Sequence, residues 1–202
     1  MGDWLNVYVD NSNIFHEGQR FAEKMAKEDR YGFRIHFENF LKLLIRKRRV
    51  RDLVWGGSTP PPQDTVWKYL REELNVNTDL IPRSESGENE TVDNAIQLRM
   101  HRHVRKYRDA PGLIVLCTGD GKGYFNEEGF LYDVEGFVED GWELELVSWS
   151  HCCHTKLKRF AEEHGVFLPL ERFYSSISFQ KGGRQAMTIT PDEVEDFLVG
   201  IG

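Results

Sequence analysis

A chain of 202 residues, 40% hydrophobic, 29% charged and 12% aromatic, has the make-up of an ordinary globular protein and is too rich in large apolar side chains to stay disordered. At this length one complete core forms without staples, and three cysteines, two of them the adjacent Cys152 and Cys153, build no disulfide framework, so a reducing, cytoplasmic setting is expected. A formal charge of -7 argues against coating nucleic acid by bulk electrostatics, the N-terminus MGDWLNVYVDN lacks a targeting signal, and no run approaches the roughly 18 apolar residues of a membrane span.

WLNVYV (4–9) reads as a buried strand that ends abruptly in Asp10-Asn11-Ser12-Asn13, a corner rich in helix-capping side chains. Phe37, Phe40, Leu41, Leu44 and Ile45 recur at helical spacing, and RDLVWGG (51–57) gives a second strand. Prolines 60–62 punctuate before a helix capped by Asp64 and running through Leu74, and NTDLIP (77–82) is a third strand. After the polar stretch RSESGENE, Val92, Ala95, Ile96, Met100, Val104 and Tyr107 mark one face of a long helix with Asp93 in its first turn. LIVLC (113–117) is an uninterrupted apolar run of the kind covered on both faces, and Thr118-Gly119-Asp120-Gly121 follows it. A helix near 131–139, the strand ELELVSW, a helix near 155–164 and the strand VFLPL complete a βαβ alternation, which predicts a mainly parallel sheet. Beyond Glu171 the pattern changes: FYSSISF and RQAMTI flank Lys181-Gly182-Gly183 like a hairpin, and Thr190-Pro191-Asp192-Glu193 opens a last helix with Val194, Phe197 and Leu198 inward. The expected organisation is therefore a domain over 1–170 with a hairpin-helix extension over 171–202 packed on or beside it.

In open α/β sheets the ligand sits outside the carboxyl ends of the strands, where the strand order reverses. Asp10 ends the first strand, Asp120 follows the LIVLC strand, and Asp93 begins the helix leading into that strand. If the first and fourth strands are neighbours, the three converge. Each has a local use on its own: Asp10 or Asn13 as a cap, Asp93 as a partner of the helix dipole, Asp120 as a turn residue. Together they form a carboxylate cluster, whose mutual repulsion a divalent cation relieves, and Mg²⁺ suits a few carboxylates plus phosphate oxygens. The chemistry implied is metal-assisted attack on a phosphodiester.

VYVDNSN (7–13), ETVDNAI (90–96) and LCTGDGKGY (116–124) resemble the three signature segments of NYN domains, members of the PIN-like ribonuclease superfamily, and Ser148 through Leu170 resembles the family's closing strand, helix and strand. The resemblance implies a Rossmann-like three-layer α/β/α fold, dependence on Mg²⁺ or Mn²⁺, and cleavage of RNA. It makes Asp10, Asp93 and Asp120 the metal-binding acids and Asn13 the polar residue of the first motif. Where the family commonly has Gly-Asp-x-Asp-Phe, this chain reads Gly119-Asp120-Gly121-Lys122-Gly123, so Lys122 stands in the place of a fourth acid. In the expected mechanism of this ribonuclease, taken to be an endonuclease, Asp10 and Asp120 hold the ion, Asp93 orients or deprotonates the attacking water, and Asn13 donates to the scissile phosphate. Asn11, Thr118, Lys122, Arg99 and Arg102 are further candidate substrate contacts.

Two acid-free basic blocks, 42–51 and 99–108, are candidate tracks for an RNA backbone, with Tyr107 or Phe125 as stacking surfaces. His151-Cys152-Cys153-His154 lacks the spacing of a zinc module, so no structural zinc is expected, although His151 or His154 follows a strand end and can face substrate. A homodimer is compatible with the acidic last helix. Two other functions compete: an NYN-fold RNA-binding or protein-interaction module weakened by Lys122, and a Mg²⁺-dependent phosphohydrolase using Asp10, against which Ser12 occupies the position where a second Asp belongs.

Overall fold

The computed structural model of the chain describes residues 4–59, 65–82, 90–121 and 128–200. In chain order these form β1 (Trp4–Asp10), α1 (Asn11–Phe21), β2 (Phe33–Ile35), α2 (Phe37–Ile45), β3 (Arg49–Thr59), α3 (Thr65–Glu72), β4 (Asn77–Pro82), α4 (Glu90–Lys106) and β5 (Leu113–Cys117). There follow α5 (Gly129–Glu139), β6 (Glu143–Ser148), α6 (Thr155–His164), β7 (Val166–Pro169), α7 (Tyr174–Ile177), β8 (Ser178–Gln180) and α8 (Pro191–Val199).

Six strands make one parallel sheet in the order β4-β3-β1-β5-β6-β7. Every residue of β5 is buried, as a central strand covered on both faces requires. Leu5, Val7 and Val9 of β1 point to a core shared with Phe40 of α2 and Trp67 of α3, whereas Tyr8 points to a second core with Ile96 of α4, Val134 of α5 and Leu157 of α6. The strand period of two thus feeds two helical layers, giving the expected three-layer α/β/α fold. Chain order runs outward from β1 through β3 to β4, then returns to β5 on the other side of β1. The reversal point is the crevice between the carboxyl ends of β1 and β5.

The predicted C-terminal hairpin is corrected. Gln180 N–H does donate to the Arg184 carbonyl at 2.8 Å, but β8 pairs antiparallel with β2, and residues 184–190 form no strand. Residues 170–177 are helical because their buried side chains, Leu170, Tyr174 and Ile177, recur at spacings of four and three rather than two. Residues 171–200 enter the first core through Tyr174, Ile177, Ile189 and Val194 and add polar contacts. Glu28, beyond α1, accepts from Tyr174 Oη at 2.6 Å, Gln180 Nε2 at 2.9 Å and Arg184 Nε at 2.8 Å, and the Arg184 guanidinium holds its carboxyl down to about 2. Asn39 of α2 donates to the carbonyls of Ser176 and Met187, at 2.8 and 2.9 Å. The Thr190 capping box forms as predicted, and Val194 is buried in the first core. Among the described residues no helix is long and apolar enough to cross a membrane.

Candidate active site

β1 and β5 are hydrogen-bonded neighbours, so their carboxyl ends present Asp10 and the 118–121 turn side by side. Asp10 is the N-cap of α1, its Oδ1 accepting the Asn13 N–H at 3.1 Å, so the local capping use and the site use fall on one residue. Thr118 Oγ1 donates to Asp10 Oδ2 at 3.0 Å and accepts the Asp120 N–H at 3.2 Å, which joins the two strand ends. Asn13 Oδ1 accepts the Gly119 N–H at 2.9 Å, and the amide nitrogen is therefore the group Asn13 has left to donate. α4 brings Asp93 to the same place from the opposite layer.

All three aspartates line one cleft of about 380 Å³, together with Ser12 and Asn13. Asp10 is 3% exposed. Burial and the neighbouring Asp120 charge push its carboxyl up to about 6, against the lowering pull of the Asn13 and Thr118 hydrogen bonds. A cation in the cleft would favour the ionised form.

Four further residues line the cleft that the sequence reading missed: His16, Glu17, Arg20 and Arg30. Three of them carried a usable signal, because His16, Glu17 and Arg20 lie three, four and seven residues after Asn13 and share its stripe on α1. Arg30 carried none; it arrives through a π-helical turn over Ala22–Ala26 and a short 3-10 turn. Its Nε is buried with no hydrogen-bond partner among the described residues, and one terminal nitrogen stands 3.8 Å from Glu23. An orphaned guanidinium N–H of this kind suits an anionic ligand.

Other expected contacts are corrected. Thr118 is fully buried and its hydroxyl is committed to Asp10, so it positions the site rather than touching substrate. The side-chain oxygen of Asn11 accepts from the Trp55 indole at 3.1 Å, and Asn11 lines a neighbouring, larger groove with Phe15, Phe37 and Trp67. Arg99 and Arg102 are exposed on α4, about 9 and 14 Å along the axis from Asp93 and leading away from the cleft. Lys122 and Phe125 lie outside the described residues.

The first basic block borders the amino-terminal end of β3, opposite the carboxyl ends that carry the aspartates, and it is used within the fold. Arg46 and Arg48 grip the buried Glu145, Lys47 meets Asp192, and Arg49 and Arg51 stack on Trp4. Arg51 also covers Tyr107. His154 N–H donates to the Gly119 carbonyl at 2.9 Å, and a side chain at Gly121 would meet the His154 ring at 2.4 Å, which explains a glycine there.

No family model matches the chain, and no curated protein matches it. The chain is similar in structure to a crystal structure of a protein of unknown function from Vibrio parahaemolyticus, at 13% sequence identity and a TM-score of 0.59, over 83% of this chain and 92% of that one. The likeness is one of fold.

Proposed function

We propose that the chain is a metal-dependent ribonuclease, an endonuclease of NYN type, that hydrolyses RNA phosphodiesters in the cleft of Asp10, Asp93 and Asp120. The observation that carries this reading is the meeting of the three aspartates at the sheet's reversal point, with the Asp10 carboxyl raised by burial and, less, by Asp120. The donor set is made of hard oxygens, which fits Mg²⁺ or Mn²⁺. When bound, such an ion supplies charge neutralisation at the phosphate and a nucleophile at neutral pH.

The chain's own groups then have distinct tasks. Asp10 and Asp120 would hold the ion, with Asp10 kept in place by its Asn13 and Thr118 hydrogen bonds. Asp93 orients or deprotonates the attacking water. The Asn13 amide nitrogen and the unpartnered Arg30 Nε donate to phosphate oxygens, a role the net charge conceals because it is local. Three free thiols agree with a cytoplasmic site of action.

The test is cleavage of labelled single-stranded RNA with Mg²⁺ or Mn²⁺ by the wild type, Asp10→Asn and Asp120→Asn. The wild type is expected to cut, and each variant to be slower by about 100-fold or more. Equal cleavage by all three, or RNA left intact while small phosphate esters are hydrolysed, would overturn the proposal.

A further inference from the structure

Outside the aspartate cluster, three different donor types meet at its rim. Glu17 on α1 and His151 and Cys152 in the turn between β6 and α6 place a carboxylate oxygen, an imidazole nitrogen and a thiol within 4.8 Å of one another. We propose that Glu17, His151 and Cys152 form a second metal site, distinct from the three aspartates, for a borderline-soft divalent ion of the zinc class.

The hydrogen bonding leaves Glu17 Oε2 and His151 Nε2 facing each other, while Cys152 Sγ, which donates to the Trp149 carbonyl at 3.5 Å, gives up that bond on binding an ion. Arg20 binds Oε1 of Glu17 at 2.5 Å, so Oε2 is the oxygen turned toward His151, 3.6 Å from its Nε2. On the other side of the ring, Nδ1 lies 3.3 Å from Glu171 Oε1, and Glu171 also accepts the His151 N–H at 3.3 Å. A ring proton on Nδ1 directs the Nε2 lone pair at the Glu17 oxygen, an arrangement that a cation between them would stabilise. Glu171 is then the carboxylate that fixes the tautomer and orientation of a metal-ligating histidine.

Ligands on a tetrahedral zinc ion stand about 3.5 Å apart, so shifts of about 1 Å close this set on one ion. Sulfur and imidazole favour zinc over magnesium, which separates this site chemically from the oxygen-only cleft. Burial and the Glu17 carboxylate raise the Cys152 thiol above its ordinary range, so metal uptake releases a proton. Adjacent cysteines rarely direct both sulfurs at one ion; here only Cys152 is used, and Glu17 comes from another part of the chain. The bound ion would tie α1 to the turn after β6 beside the cleft.

The proposal does not rest on the ribonuclease reading. Titration of the full chain with Co²⁺, a spectroscopic stand-in for Zn²⁺, tests it. One equivalent is expected to give a thiolate-to-cobalt charge-transfer band that Zn²⁺ abolishes and excess Mg²⁺ leaves in place. Cys152→Ser should remove the band, and His151→Ala and Glu17→Gln should each weaken Co²⁺ binding by about tenfold or more, whereas Cys153→Ser, measured as a matched control for folding, should keep both band and stoichiometry. No band in the wild type, a band that survives Cys152→Ser or is lost with Cys153→Ser, or binding indifferent to His151→Ala and Glu17→Gln would overturn the assignment.

Discussion

Asp10 and Glu145 are both buried carboxylates, 3% and 2% exposed, yet the chain treats them differently. Glu145, within β6, is answered from inside: Arg46 takes both its oxygens, at 3.1 and 2.5 Å, and Arg48 adds a bond at 2.9 Å. Arg46 reaches it from a backbone φ of 53°, a region that favours glycine, which the paired guanidinium helps to hold. Asp10 receives the Asn13 N–H and the Thr118 hydroxyl, and its strongest charged neighbour is another aspartate. A buried charge matched within the chain is architecture. One held by neutral donors beside a like charge is matched by no cation among the described neighbours that shift its carboxyl, which is what the proposed metal site requires.

The comparison breaks first at Glu145. Glu145→Gln leaves two arginines gripping a neutral amide in a desolvated site, and we expect a loss of about 3–5 kcal/mol, read as a lower midpoint in urea unfolding. A stability within about 1 kcal/mol of the wild type would show the pair to be dispensable.

Asp10→Asn should act in the opposite direction in metal-free buffer. The folded carboxyl is raised to about 6, above its unfolded value, so Asp10 costs stability above that pH, and the cost fades as pH falls from about 6 toward 4. The variant, which removes the charge, is therefore expected to be about 2 kcal/mol more stable at pH 7 and close to the wild type below pH 4, while losing the proposed RNA cleavage. Thermal unfolding across that pH range checks the sign. A variant less stable than the wild type at pH 7 would mean that the charge is already matched.

The smallest effect belongs to the surface. Lys47 and Asp192 meet on an exposed face, each side chain more than half accessible, and solvent and salt screen such pairs. Lys47→Ala is expected to leave the unfolding temperature unchanged within error, which separates this part of the first basic block from its buried arginines.

Much of the fold was legible because its strands are continuous apolar runs and its helices carry caps: β1, β5 and the Thr190 box need only local sequence. The Asp10–Asp120 convergence was legible too, once LIVLC was taken as the strand beside β1. What escaped depends on distant partners. β2 and β8 are three residues each and find one another across the chain, so a local turn at Lys181–Gly183 was read as a hairpin. Arg46 and Glu145 are 99 residues apart, so the basic block looked like a nucleic-acid face. Arg30 enters the cleft through two irregular turns that no periodicity announces, and Thr118, next to a candidate acid, was read as a contact when its hydroxyl serves Asp10.

The most direct test of the central claim is an NMR titration of the Asp10 carboxyl carbon in the metal-free protein and again with Mg²⁺. The account predicts a midpoint near 6 without the ion and a clear downward displacement with it. A midpoint of about 4, unmoved by Mg²⁺, would describe an ordinary helix cap and contradict it.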